Sequence, residues 1–278
     1  LRTTMLVSAR GVIVSSHVPV LAVLLSALCS GALQAQPAPA RPSEGAGDRN
    51  ARRLFVRFVE DAAVVPGGWV EGQYLYQNLE TGSRHFAGPL IAFKVVENVE
   101  AGLRFGYVDV RGGPGPDGAG LSDIDLFLKY RLPGTGAARV AIGALLKAPS
   151  ADEAEGLGTG EPDLEGFVAW RADLEAVTLV ASAAARFNGQ PDPALIDTED
   201  SVLLGAAVLL PATPRVTFSV EGTYETERIE GGDADGRLII GLQAFSRQRH
   251  GGFRGAVSLP LTDGAPDAEL FLGAFLTY

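Results

Sequence analysis

Side chains able to do acid–base or acyl-transfer chemistry are sparse in this chain. It holds three histidines, and two of them, His85 and His250, lie beyond the N-terminal apolar segment. A hydrolytic site would need a nucleophile within reach of such a base. His85 is followed by Phe86 and Ala87, and His250 by Gly251 and Gly252, so no serine follows either closely. Gly113, Gly115 and Gly118 match G-x-G-x-x-G, but Pro114 and Pro116 interrupt the match and strand-like sequence follows it. That context does not fit a dinucleotide loop. Asp233-Ala234-Asp235-Gly236 begins like a calcium loop, yet no matching glutamate follows. The expectation is therefore no catalytic residue, no cofactor and no metal site.

Charge is the richer signal. Acidic groups collect in three glycine- and proline-containing stretches: Asp152, Glu153, Glu155 and Glu161; Asp192, Asp197 and Glu199; Asp233 and Asp235. Solvated loop charge is one reading. Divalent-cation bridging to lipopolysaccharide phosphates, or a preference for cations at a mouth, is the other. A second set alternates with apolar residues: Glu71, Arg104, Asp123, Asp125, Lys129, Arg131, Lys147, Glu165, Arg171, Arg186, Glu221, Glu225 and Glu269. In one consistent phase these thirteen side chains all point to the same side of their strands.

That phase comes from a period of two running from Trp69 to Tyr278. Ile124, Leu126, Leu128 and Tyr130 alternate with Asp123, Asp125, Lys129 and Arg131. Val216, Phe218, Val220 and Tyr224 alternate with Thr217, Ser219, Glu221 and Glu225. Twelve such segments follow one another, at 69–78, 86–96, 99–110, 121–132, 138–148, 164–172, 174–187, 200–210, 215–227, 237–248, 252–259 and 268–278. Their length, about ten residues, is that of a tilted strand crossing a bilayer. Their connections alternate in length. Glu97-Asn98, PGTG at 133–136, Asp173, PATP at 211–214 and RHG at 249–251 are short. Those at 111–120, 150–162, 188–199 and 229–236 are long, with 80–85 and 261–267 grouped among them. Short periplasmic turns and long external loops give that rhythm in outer-membrane barrels.

Aromatic residues placed on the opposite, outward faces fall into two belts. Tyr76, Tyr107, Phe187 and Tyr224 lie toward the long loops, and Trp69, Tyr130, Trp170, Phe253 and Tyr278 toward the short turns. Such belts mark the two headgroup levels of a bilayer. A secreted β-sandwich would also alternate, but it would explain neither the loop rhythm nor the belts. The fold expected is an all-β, transmembrane, antiparallel up-and-down barrel of about twelve strands over residues 67–278. On the other side of the wall, the thirteen charges line a lumen. They either pair and close it or border a polar conduit.

Arg2 and Arg10 are the only charges among the first 35 residues, and the apolar run VPVLAVLLSAL at 18–28 leads to Leu33-Gln34-Ala35. This describes a cleaved secretory signal peptide, 1–35. Cys29, the sole cysteine, would leave with it; Leu28 just before it is poor sequence for lipidation. Removing Arg2 and Arg10 from 23 basic against 33 acidic side chains leaves 21 against 33, or −12, a sign opposed to nucleic-acid binding. Residues 36–66 read as a periplasmic lead-in or a plug. The place of RRLFVRFVE at 52–60 stays open between pairing, an internal position and an external one. The final strand, ELFLGAFLTY at 269–278, has the alternation and terminal aromatic of the signal read by the barrel-insertion machinery.

The stretch GLSDIDLFLKYRL at 120–132 resembles the GLGD…KYRL strand of the outer-membrane family named for the MetA-pathway of phenol degradation. LLKAPSADEAEGLGTGEPDLEGFVAW resembles that family's next strand end, glycine-rich loop and strand start. The likeness spans most of residues 60–278; the family often has glycine where Phe127 stands. It implies a bacterial outer-membrane barrel that moves small compounds, hydrophobic or aromatic ones among them. Its partners would be lipid, lipopolysaccharide and a small-molecule cargo. The competing expectation is a closed barrel with a structural or surface-binding role.

Overall fold

The computed structural model describes residues 52, 60–112, 117–134, 136–190, 197–247 and 250–278. The expected signal peptide, 1–35, lies outside the described residues, as does most of 36–59. Fourteen strands follow in order: β1 (Gly68–Leu79), β2 (Gly82–Val96), β3 (Val99–Arg104), β4 (Tyr107–Arg111), β5 (Gly118–Leu121), β6 (Ile124–Arg131), β7 (Ala138–Ala148), β8 (Asp163–Asp173), β9 (Thr178–Phe187), β10 (Ser201–Thr213), β11 (Val216–Glu225), β12 (Asp235–Phe245), β13 (Gly251–Pro260) and β14 (Ala268–Thr277).

The pairing is antiparallel throughout, and β1 closes on β14 with Trp69 opposite Thr277 and Asn78 opposite Ala268. β2 pairs with both β3 and β4. β6 pairs with β3, and β5 with β4. Fourteen strands therefore occupy twelve positions around a closed wall. Closure at the β1–β14 seam removes the open edge of the long strands, the condition for a sheet to sit in hydrocarbon, while short β5 is laddered to β4 alone.

The sequence periodicity reads β3–β4 and β5–β6 as unbroken; the structure interrupts both, for a visible reason. Pro89 on β2 has no N–H to give to the strand beside it, and Phe105-Gly106 lies opposite. The chains also approach closely there. A Cβ on Gly88 would lie 2.0 Å from the Phe105 carbonyl oxygen, and one on Gly106 2.6 Å from that of Ala87. Ser122 takes over the bonding: its amide donates to the Gly106 carbonyl at 2.8 Å, and its Oγ accepts from the Gly106 amide at 3.0 Å.

Other boundaries shift modestly. Leu79 pairs with Gly82, so the turn placed among the longer connections holds only Glu80 and Thr81. β9 begins at Thr178, leaving 174–177 as the turn read as Asp173 alone, and β10 runs through Pro211 to Thr213 with a register shift there.

The exterior is apolar. Leu126, Leu128, Ile142, Val168, Val208, Phe218, Ile240, Leu272 and Leu276 are among the exposed side chains, a surface that suits lipid rather than water. Aromatics at Tyr107, Tyr130, Phe187, Phe253 and Tyr278 stand outward, and Tyr76, Trp170 and Tyr224 share that face part-covered. Trp69 is the correction. It is 1% exposed and stacks on Phe275 inside the barrel, centroids 4.2 Å apart. Its position two residues before Glu71 puts both on one face of β1, so an inward Glu71 requires an inward Trp69.

Candidate functional site: the lumen

Every one of the thirteen charged residues lies on the inner face, and the structure adds Gln73, Glu100, Arg139, Asp163, Asp173, Arg237, Gln243 and Arg254 to them. These additions obey the same alternation. Arg254, for example, follows outward Phe253, so the signal was present in the sequence.

Toward the long loops the inward charges meet along a strand, between adjacent strands and across an intervening one. Arg104 donates to Asp125 at 2.9 and 2.6 Å. Lys147 lies 2.8 Å from Asp163 and 3.5 Å from Asp123. Arg186 bridges Glu165 at 2.8 Å and Glu225 at 2.7 Å, and Arg237 joins Asp235 to Glu269, the latter at 2.7 Å. Glu221 is buried on the same wall. Cross-strand register produces these meetings, since Asp125 faces both Arg104 and Lys147. The connection 149–162 folds over this end. Asp123 accepts from the Ser150 and Ala151 amides at 2.9 Å each, Lys147 donates to Thr159 at 3.0 Å, and Leu157 is buried.

At the short-turn end the segment before β1 enters the barrel. Asp61, Ala62, Ala63 and Val65 are buried, together with Arg52. Lys129 donates to the carbonyls of Asp61 and Ala63 at 3.0 and 2.7 Å and pairs with Glu100 at 3.1 Å. Glu100 also accepts from the Val65 amide at 2.6 Å. Arg171 reaches Asp61 and Asp173, both at 2.9 Å. Arg52 donates to the Ala63 carbonyl at 2.9 Å, and its own backbone N–H and C=O are both taken by the Gln243 amide. Beside them Arg254 forks onto Glu71 at 2.8 and 3.0 Å, and Trp69 donates to the same carboxylate at 3.1 Å. Arg131 is held by Asn98 at 2.6 Å. Burial works against charge on Asp61, but Arg171 and Arg52 outweigh it and hold the carboxyl below its usual range.

Between the two ends the β6–β10 side of the inner wall is apolar, whereas Gln73 on β1 and Thr217, Ser219 and Glu221 on β11 keep the other side polar. Leu90, Phe127, Leu145, Phe167, Val180, Ala184, Ala207 and Leu209 form one buried cluster with Val65 and Trp69. Leu75, Phe86, Val108, Ile239 and Phe271 form another with Leu157 of the 149–162 connection. Strand alternation would have placed Phe127 and Phe167 here, but attention to charge passed over them.

Fold and lumen together define the outer-membrane class of β-barrels: a closed twelve-position wall, apolar outside, with ion-paired groups within. The chain is similar in structure to the COG4313 outer membrane channel from Pseudomonas putida F1, with a TM-score of 0.61 and 13% identity over 79% of this chain and 98% of that one. It is also similar to the NanC porin, with a TM-score of 0.54 and 8% identity over 75% and 98% of the two chains. The KdgM porin follows at a TM-score of 0.51 and 10% identity, over 76% and 99%. At such identities the likeness is one of fold. No family model and no curated protein matches the sequence.

Proposed function

We propose that this protein is a passive outer-membrane transporter of small hydrophobic compounds, aromatic ones included. The observation that carries this reading is the apolar inner wall around Phe127 and Phe167, where an aqueous porin lumen is polar. Most of the charges beside it are engaged in opposite-sign pairs, among them Arg104–Asp125, Lys147–Asp163, Arg186–Glu165 and Arg254–Glu71, so both signs line the lumen together. The three fold relatives, one described as a channel and two as porins, accord with a conducting role, and the resemblance to the phenol-degradation family accords with aromatic cargo.

Refolded protein in liposomes, assayed for uptake of a fluorescent polycyclic aromatic and for swelling in a small sugar, tests it. Faster aromatic uptake with little swelling is expected. Aromatic uptake equal to that of protein-free vesicles would refute it. The second reading, a closed structural barrel, draws on the buried segment at 60–66. It predicts silence in both assays for the full barrel, with swelling appearing only when residues 36–66 are removed.

A further inference from the structure

The outer wall carries one polar island. Among the described residues, and away from the bulged ends of β2 and β10, the outward side chains of the strands are apolar or aromatic except Asn78, Ser83, His85, Asp109 and Arg111. All five lie on β1, β2 and β4. Register lines them up: Ser83 sits between Asn78 and Arg111, and His85 between Tyr76 and Asp109. The Tyr74 hydroxyl meets His85 Nδ1 at 3.0 Å, and the Tyr76 ring lies 4.9 Å from the imidazole. Asp109 takes Nε and one Nη of Arg111 at 2.8 and 3.1 Å. An arginine held in this way still presents its second donor edge, and the Arg111 side chain is 67% exposed.

The island grades downward in the order of a lipid. Below the polar rows comes an aromatic row, where Ala87 lies between Tyr74 and Tyr107. Next comes a shallow apolar strip, where Gly72 faces Pro89 on one side and Ala274 on the other. A Cβ on Gly72 would meet nothing within 4 Å, so the strip opens outward. His85 stands eight residues along β2 from outward Phe93. At about 3.3 Å per residue and a tilt of about 40° that is roughly 20 Å, near the upper edge of a 25 Å apolar band.

We infer that Arg111 and His85 hold the phosphorylated headgroup of an outer-leaflet lipid, with an acyl chain lying along Gly72, Ala87 and Ala274. The inference rests on the outer-membrane placement proposed above, but not on transport. Hydrolytic chemistry is the poorer fit: His85 Nδ1 meets tyrosine, and both Asp109 oxygens are taken by arginine.

The test titrates diphosphoryl lipid A, its dephosphorylated form and inorganic phosphate separately onto the refolded full barrel in detergent, read by native mass spectrometry. Heat-modifiable mobility confirms folding of each variant. Wild type should bind diphosphoryl lipid A at least about tenfold more tightly than the dephosphorylated form. Arg111→Gln and His85→Gln should each weaken that binding by roughly tenfold, and Arg111→Lys by less, because a lysine loses the fork but keeps the charge. Equal affinity of Arg111→Gln and wild type would overturn the site. So would equal affinity for the dephosphorylated lipid, inorganic phosphate binding as tightly as lipid, or release of a cleaved lipid product. A barrel that binds lipid A but takes up no aromatic would sink the transport reading alone.

Discussion

Arg171 on β8 grips Asp61 at 2.9 Å with both side chains fully buried, tying the segment before β1 to the far wall of its own barrel. The same guanidinium is anchored by Asp173, which also pairs with Arg139 at 3.0 Å. Breaking a buried ion pair is unfavourable, by up to about 3–5 kcal/mol, and Asp173 would retain Arg171 on the wall. Asp61→Asn should therefore loosen the segment while the wall, held by its ladders, stays closed. Single-channel recording should show larger or more frequent conductance steps in Asp61→Asn than in wild type. Identical traces would mean that the ion pair does not govern occlusion.

Acid should act on the same pair. Asp61 titrates below its ordinary range in the folded protein, so its ionised form stabilises the inserted segment above the unfolded carboxylate pKa of about 4. That contribution falls away as pH drops through the lower folded value. Protease access to residues 60–66 should rise as pH falls below about 4 in wild type, using an acid-active protease. In Asp61→Asn this rise should be absent, since the titrating group is gone.

These contacts also show where sequence was legible. Alternation located the wall strands to within a few residues, because each buries one face and any slip by one residue would reverse every side chain. It failed at Phe105-Gly106 and Ser122-Asp123, where a missing proline N–H acts across a register that single-strand periodicity cannot reveal. Trp69 was misplaced because its neighbourhood was weighed as a belt and its phase with Glu71 was not. Arg52 and Asp61 were legible as polar residues near a strand-like piece, but their partners, Gln243 and Arg171, lie 191 and 110 residues away.

The Trp69–Phe275 stack joins the first strand to the last across the seam that closes the wall, with Phe245 edge-on to Phe275 at 5.2 Å. Arg254 and Arg52 lie 5.8 and 5.9 Å from the indole centroid. Trp69→Ala should cost about 3–5 kcal/mol, the range for truncating a buried aromatic, and Trp69→Phe less. Urea unfolding in detergent, followed by heat-modifiable mobility, should show the midpoint order wild type, Trp69→Phe, Trp69→Ala. An unchanged Trp69→Ala midpoint would show that the seam is held by its backbone ladder alone.

Phe127 and Phe167 give the sharpest test of the inner wall. They stand on β6 and β8, and each ring crowds a glycine of an adjacent strand, Gly102 of β3 for Phe127 and Gly143 of β7 for Phe167. A Cβ on Gly102 would lie 2.5 Å from the Phe127 ring, and one on Gly143 2.2 Å from that of Phe167. Each ring thus crowds a neighbouring strand's backbone and is buried within the inner apolar cluster. Replacing Phe167 with glutamine would remove the ring and add polar atoms that need water or a partner. Aromatic uptake into liposomes should fall by about tenfold if the ring contributes about 1.4 kcal/mol to passage, near the upper end of what an aromatic contact adds beyond its burial. Sugar swelling should be unchanged or slightly raised, because a polar wall admits water. If Phe167→Gln folds and transports aromatics at the wild-type rate, the apolar wall is packing and not a path.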